Sequence, residues 1–199
     1  SPSGLPSSVF VLGDAISSND ISVPLYQENL LRAAETSFSS RRFLEGSLAE
    51  NLLIGLKKHG NISIHDGNDD SSLPYGQLLA AAIVLSKEIK KATSKKRVGI
   101  ILPPGKVGML ANIAVLFANK IPVNLNFTAS QEAVESAIRQ ADLDKFITAD
   151  PFVRKIPTFP WPPTRDLLLI ERILPAIKRS IAKWFILSKI IPTPLLSMI

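Results

Sequence analysis

The 199-residue chain contains no cysteine, which excludes a disulfide scaffold, a thiolate metal site and a cysteine nucleophile. The absence also fits a reducing compartment. Histidine is nearly as scarce, with only His59 and His65, too few for a histidine-rich metal site. Neither has an Asp or Ser partner at an informative spacing. Asp66 follows His65 directly, and in a strand adjacent side chains point to opposite faces. The phosphate-cradling patterns G-x-x-x-x-G-K-[ST] and G-x-G-x-x-G are missing, as are the G-x-S-x-G elbow and H-E-x-x-H. The opening Ser-Pro-Ser-Gly-Leu-Pro-Ser has neither the charged nor the apolar part of a secretory signal. Because both ends look arbitrary, the chain is expected to be a cut piece of a longer one. Apolar runs are short, and the very apolar Ile181–Ile191 is interrupted by Lys183 and Lys189, so its uncharged run is far too short to span a bilayer. No catalytic, cofactor-binding or metal-binding residue is assigned.

What remains is a globular composition. Hydrophobic residues make up 46% of the chain and charged residues 20%, which is enough apolar material for one or two cores and too much for disorder. The net charge of +6 is unevenly placed. Lys87–Lys106 holds seven basic residues and one acidic, and Arg165–Ile199 holds six and two. Basic stretches can meet phosphate, anionic lipid or nucleic acid. The plainer reading of Lys87, Lys90, Lys91, Lys95 and Lys96 is a solvated helix end beside the last carbonyls.

Periodicity orders the elements. Val9–Leu12 reads as a strand, Pro24–Leu44 as a helix with the stripe Leu30, Leu31, Ala34 and Phe38. Ser47-Leu-Ala-Glu50 is a capping box that starts a helix running to His59 and stopping at Gly60. Ile62–His65 is a short strand, and Asp66–Ser72 a hairpin-type turn or loop that lacks the spaced ligands and closing Glu of a calcium loop. Pro74 opens a helix whose apolar face is Leu78, Leu79, Ala82, Leu85 and Ile89. Val98–Leu102 is a buried strand, broken by Pro103-Pro104-Gly105, and Val107–Asn119 a helix apolar nearly all round. Leu102–Lys106 outlines a minimal anion site at a helix start, although a tight strand–helix turn accounts for it as well. Ile121–Leu125 is a strand, Thr128-Ala-Ser-Gln131 resembles a capping box with a helix to about Ala141, and Lys145–Thr148 is a strand. Pro151–Pro163, with five prolines, reads as a linker or extended loop, Leu167–Ile170 as a strand, and Ile173–Ile191 as a basic apolar helix ended by Pro192 and Pro194. That helix could lie on a membrane or pack on parts of a longer chain, and burial of apolar helices favours packing. The expected fold class is α/β: a partial parallel-sheet domain with crossover helices, preceded by a short strand and helices.

The span from Ile62 to Ile156 resembles the beginning of the adenylate-forming (AMP-binding) acyl synthetases. The matching pieces are Ile62–Gly67, Tyr75-Gly-Gln-Leu78, Arg97–Pro103, Ala114–Asn119, Ile121–Thr128 and Ala133–Thr148. Pro122-Val-Asn-Leu-Asn-Phe-Thr128 is the most specific and is similar to the form in bifunctional acyl-[acyl carrier protein] synthetase/2-acylglycerophosphoethanolamine acyltransferases. Val9–Asp14 and the charged helix through Arg41 and Arg42 resemble the end of the acyltransferase domain that precedes the synthetase there. Residues 158–199 match loosely, through Phe159-Pro-Trp161 and the apolar strand after it. Pro74 stands where the family has Thr or Ser, and Asn119-Lys120 where it commonly has Ala-Gly.

The resemblance implies residues 1–46 as an acyltransferase tail and linker, 47–156 as the first part of the synthetase domain, and 157–199 as a Pro-rich linker, strand and basic apolar helix. It implies a parent enzyme using ATP and Mg²⁺, with fatty acid, acyl carrier protein (or CoA) and lysophospholipid as partners. The parent would sit on the cytoplasmic side of the inner membrane, and the fragment would be soluble. The family's phosphate loop, adenine-contacting motif and catalytic lysine would lie beyond Ile199, and the acyltransferase His-x-x-x-x-Asp before Ser1. The fragment is therefore expected to be catalytically incomplete and to hold no cofactor itself. Other classes are a small-ligand-binding α/β module and a peripheral membrane-binding domain. Nucleic acid is not expected, because aromatic residues do not interleave with the Lys87–Lys106 run.

Overall fold

The computed structural model describes residues 12–39 and 46–196. The chain divides into two compact units, Ser1–Asn51 and Leu52–Ile199. In the first, α1 (Val23–Ser39) matches the expected helix, and Leu30, Leu31 and Phe38 of its stripe are exposed. The expected strand at Val9–Leu12 lies, but for Leu12, outside the described residues, as do Arg41 and Arg42. The capping box closes as read before α2 (Leu48–Lys58). The Glu50 amide donates to Ser47 Oγ at 3.2 Å, and Ser47 N donates to Glu50 Oε2 at 2.9 Å.

The second unit is a three-layer α/β fold. A hairpin of β1 (Ser63–Asp66) and β2 (Ser71–Pro74) leads into α3 (Tyr75–Ala92). There follow β3 (Arg97–Ile100), α4 (Lys106–Phe117), β4 (Ile121–Asn124), α5 (Gln131–Gln140), β5 (Phe146–Thr148), α6 (Asp150–Lys155), β6 (Leu167–Leu169), α7 (Ile170–Ile190) and α8 (Thr193–Leu196). The four later strands form a parallel sheet in the order β4-β3-β5-β6. This bears out the expected α/β class with crossover helices.

Side-chain alternation along the strands explains the layering. Val98, Ile100, Ile147 and Leu168 face a core shared with α3, α4 and α7. Ile101, Phe146, Leu167 and Val123 face a second core with Val134 of α5 and Phe152 of α6. α3 packs against both α4 and α7, so ten of its 18 residues are buried. The expected face of Leu78, Leu79, Ala82, Leu85 and Ile89 is buried, and Ala80, Ala81, Ile83 and Val84 with it. A helix covered on two sides has little outside face left, and its small alanines let the neighbours approach. α4, read as apolar all round, buries Leu110, Ala111 and Ile113–Val115 and leaves only Met109 clearly outside.

Several expectations are corrected. The hairpin-type turn read at Asp66–Ser72 is present but shorter, because Asp66 belongs to β1 and Ser71–Pro74 pairs with it as a second strand. Pro74 is the N-cap residue of α3 and not its first helical residue. The cap of α5 is Ser130, whose hydroxyl accepts from Ala133 N. Thr128 is committed elsewhere, its amide and hydroxyl both donating to Asn126 Oδ1 at 2.9 and 2.8 Å. The proline-rich stretch is not a plain linker. Pro151 sits at the start of α6, where its missing N–H costs nothing. Beyond α6, Phe159 is buried and Trp161 Nε1 donates to the Ile156 carbonyl at 3.0 Å. α7 begins three residues before expected and carries Pro175 inside, and Pro194 belongs to a last short helix.

Asn119 has φ +56° just after α4. A left-handed residue ends the helix there, and Asn is among the few non-glycine residues that adopt it readily.

Candidate functional site

In an open parallel sheet the ligand crevice lies outside the carboxyl ends of the strands, where the chain reverses direction across the sheet. Here the chain runs outward from β3 to β4 over α4, then returns past β3 to β5 over α5 on the other face. The reversal falls between β3 and β5. Its floor is closed by the protein itself: the buried Thr148 hydroxyl donates to the Ile101 carbonyl at 2.7 Å.

Beside it, between the ends of β3 and β4, lies an open groove of about 540 Å³ lined by Leu102, Met109, Phe127 and three amides, Asn112, Asn124 and Asn126. Asn112 and Asn124 bond each other reciprocally, Nδ2 to Oδ1, at 3.1 and 2.9 Å. Asn112 also donates to the Gly108 carbonyl at 2.9 Å. No ionisable side chain lines the groove. It can offer hydrogen bonds and apolar contact, but neither a proton donor of tuned pKa nor a cation for phosphate. Asn124 and Asn126 lie in the Pro122–Thr128 stretch, while Asn112 carries no motif and stands out only as a polar side chain in the apolar part of α4.

The start of α4 follows β3 directly and was the one anion site the sequence outlined. The structure shows it already filled. Asp66 Oδ2 accepts from Lys106 N at 2.8 Å, and Asp66 Oδ1 accepts from Asn68 N and Nδ2 at 3.0 and 2.8 Å. Asn68 Nδ2 also donates to the Pro104 carbonyl at 2.8 Å. Gly105 makes room for this contact. Its φ is +149°, and an added Cβ would stand 2.6 Å from Asp66 Oδ2. The Lys106 ammonium is held by Asp69 and Ser71. The Lys106 amide, and after it the Asn68 amide, hold the Asp66 carboxyl below its ordinary range. The Lys106 ammonium and then Ser71 bring Asp69 down to about 2. The acidic loop is therefore a latch joining the hairpin to α4. Sequence gave no signal for it, because Asp66 and Lys106 are 40 residues apart.

The remaining candidates are dispersed. His59 and His65 are both exposed, and Asp66 lies on the opposite face of β1 from His65. In the basic run, Lys91 pairs with Glu88 at 2.8 Å, Lys95 with Asp142 at 2.5 Å, and Lys87 Nζ lies 4.2 Å over the Trp184 ring. Among the described residues no three His, Asp or Glu side chains converge on a point that could hold a metal ion.

No protein-family model matches the chain. Its fold is shared with solved structures. VinN superposes with a TM-score of 0.55 at 18% identity, over 70% of this chain and 37% of VinN. The nonribosomal peptide synthetase FmoA3, solved with α-methyl-L-serine-AMP bound, gives 0.53 at 13% identity, over 63% of this chain and 14% of FmoA3. The luciferase-like enzyme of the mealworm Zophobas morio gives 0.50 at 19% identity, over 59% and 29%. The chain thus spans little more than a third of VinN and less of the others, and the likeness is one of fold.

Proposed function

We propose that this chain is a portion of an ATP-dependent fatty acid:acyl carrier protein (or CoA) ligase fused to a lysophospholipid acyltransferase, and that the portion is catalytically incomplete by itself. The observation that carries the reading is the parallel β4-β3-β5-β6 sheet, a fold shared with enzymes of which one was solved holding an aminoacyl adenylate. Tyr75–Leu78 opening α3 supports the adenylate-forming family, and Pro122–Thr128, spanning β4 and the groove, the narrower one. In this reading residues 1–46 are the acyltransferase tail and linker, 47–156 the first part of the synthetase, and 157–199 a Pro-rich linker, strand and basic apolar helix.

The residues present do not fit a nucleoside triphosphate with Mg²⁺. The α4 amide that could meet a phosphate is taken by Asp66, and the groove at the sheet edge has no cation. In the proposal ATP and Mg²⁺ are held by other parts of the parent, with fatty acid, carrier protein and lysophospholipid as its substrates. The described residues contain no helix long and apolar enough to cross a membrane.

Fatty-acid-dependent exchange of pyrophosphate into ATP, run on the parent and on this chain, tests the reading. Exchange by the parent alone is expected. Exchange by neither sinks the ligase assignment, and exchange by this chain sinks its incompleteness. The amide-lined groove favours a second reading, a small-ligand module. A saturable rise in melting temperature with fatty acid or ATP would support that instead.

A further inference from the structure

α7 has two faces of different chemistry. Ile170, Ile173, Leu174, Ile181, Trp184 and Ile191, at its end, join the core against α3. The outer stripe, at i, i+4, i+7 spacing, is Arg172, Ala176, Arg179, Lys183, Ile186 and Ile190, all exposed. Ile186 is 60% and Ile190 72% exposed, and Leu195 continues the apolar end at 55%. α7 carries five basic residues and one acidic, Glu171 at its start.

The end of α3 places further cations beside α7. Lys87 lies over the Trp184 ring, next to Lys183 in sequence. Its ammonium is discouraged first by burial and then by Lys90, Lys183 and Lys91, so these cations share one locality. Of the acids nearby, Glu88 is drawn to Lys91.

We propose that the outer face of α7 docks on an anionic lipid surface, with α7 lying in the plane of the interface. A basic helix with aliphatic side chains on the same stripe suits that environment: the cations meet headgroups and Ile186 and Ile190 enter the acyl boundary. A nucleic acid would use the cations but not the isoleucines, and the aromatic ring that could stack on a base is covered by Lys87.

The 199-residue chain would be sedimented with vesicles of phosphatidylcholine alone and of phosphatidylcholine mixed with phosphatidylglycerol, at low and high salt. Binding only to the mixed vesicles, weakened by salt, is expected. Arg179→Gln with Lys183→Gln should lower the partition coefficient about fivefold per charge removed. Ile186→Ser with Ile190→Ser should lower it without changing the salt dependence. Arg139→Gln, on α5 against the opposite face of the sheet, should leave it unchanged. The four α7 positions are exposed, and circular dichroism would confirm that the variants fold. Equal binding to neutral vesicles, binding to neither, an equal loss in Arg139→Gln, or self-association through α7 that vesicles do not compete overturns the proposal.

Discussion

Replacing Gly99 with alanine tests the seam between β3 and β5. Gly99 stands opposite Phe146 in the parallel register, and the Phe146 ring, 3% exposed, lies across the glycine. An added Cβ would stand 2.4 Å from Phe146 Cδ1, 2.9 Å from Cε1 and 3.3 Å from Leu143 Cδ1. Carbon atoms prefer about 3.5–4.0 Å, so the first contact is short by more than about 1 Å. The ring cannot swing aside freely, because it is packed in the second core with Leu143 and Phe152. Overpacking of this kind costs about 1–3 kcal/mol. For a unit of this size that is a fall in melting temperature of about 3–10 °C. Urea unfolding followed by circular dichroism should show a lower midpoint at unchanged slope. Phe146→Val opens a cavity and is destabilising alone, but it removes the clash. The double variant should be more stable than the sum of the two losses by about 1 kcal/mol or more. Strict additivity, or no loss in Gly99→Ala, would refute the account of the seam.

Gly55 is the contrasting case: it lies in α2 with nothing within 4 Å of an added Cβ, so Gly55→Ala should raise stability by about 0.5–1 kcal/mol in the same urea assay. Acid should loosen the latch. The folded-state pKa values of Asp66 and Asp69 lie below their ordinary 3.8, so their contribution is complete above that value and is lost as pH falls through the folded values. The urea midpoint should drop between about pH 4 and pH 2, and drop less steeply there in Asp66→Asn, where half of the latch no longer titrates. Removing both carboxylates, Asp66→Ala with Asp69→Ala, exposes the Lys106 amide and ammonium together. Phosphate at constant ionic strength should then raise the melting temperature of the variant and not of the wild type, and equal gains in both would refute the view that the site is filled.

The sheet was legible because its strands are continuous apolar runs bounded by breakers, Val98–Ile101 before Pro103-Pro104 being the clearest. Local signals failed where two of them competed. Thr128 and Ser130 both offer a hydroxyl ahead of α5, and only the structure shows Asn126 taking Thr128. Ser71–Pro74 has too few apolar residues to announce a strand and exists because β1 supplies its partner. The five prolines of 151–163 pointed to a loop, yet Pro151 is placed where a helix tolerates it. The latch was illegible for a different reason. Asp66 is chosen by a contact with Lys106 that no local pattern carries.

That contact also bears on what the first crossover can do. A helix that begins just after a strand presents free amides at the carboxyl edge of the sheet, and this is where such folds commonly place a phosphate. Here the amide of Lys106 is met by a carboxylate of the chain, and the lysine itself by Asp69 and Ser71. An anion arriving at α4 would have to displace two carboxylates already held ionised by those donors. The β3–α4 turn therefore fastens the hairpin, and with it the start of α3, to the parallel sheet. Chemistry at this edge would need charged groups supplied from outside the groove of Asn112, Asn124 and Asn126, which has none of its own.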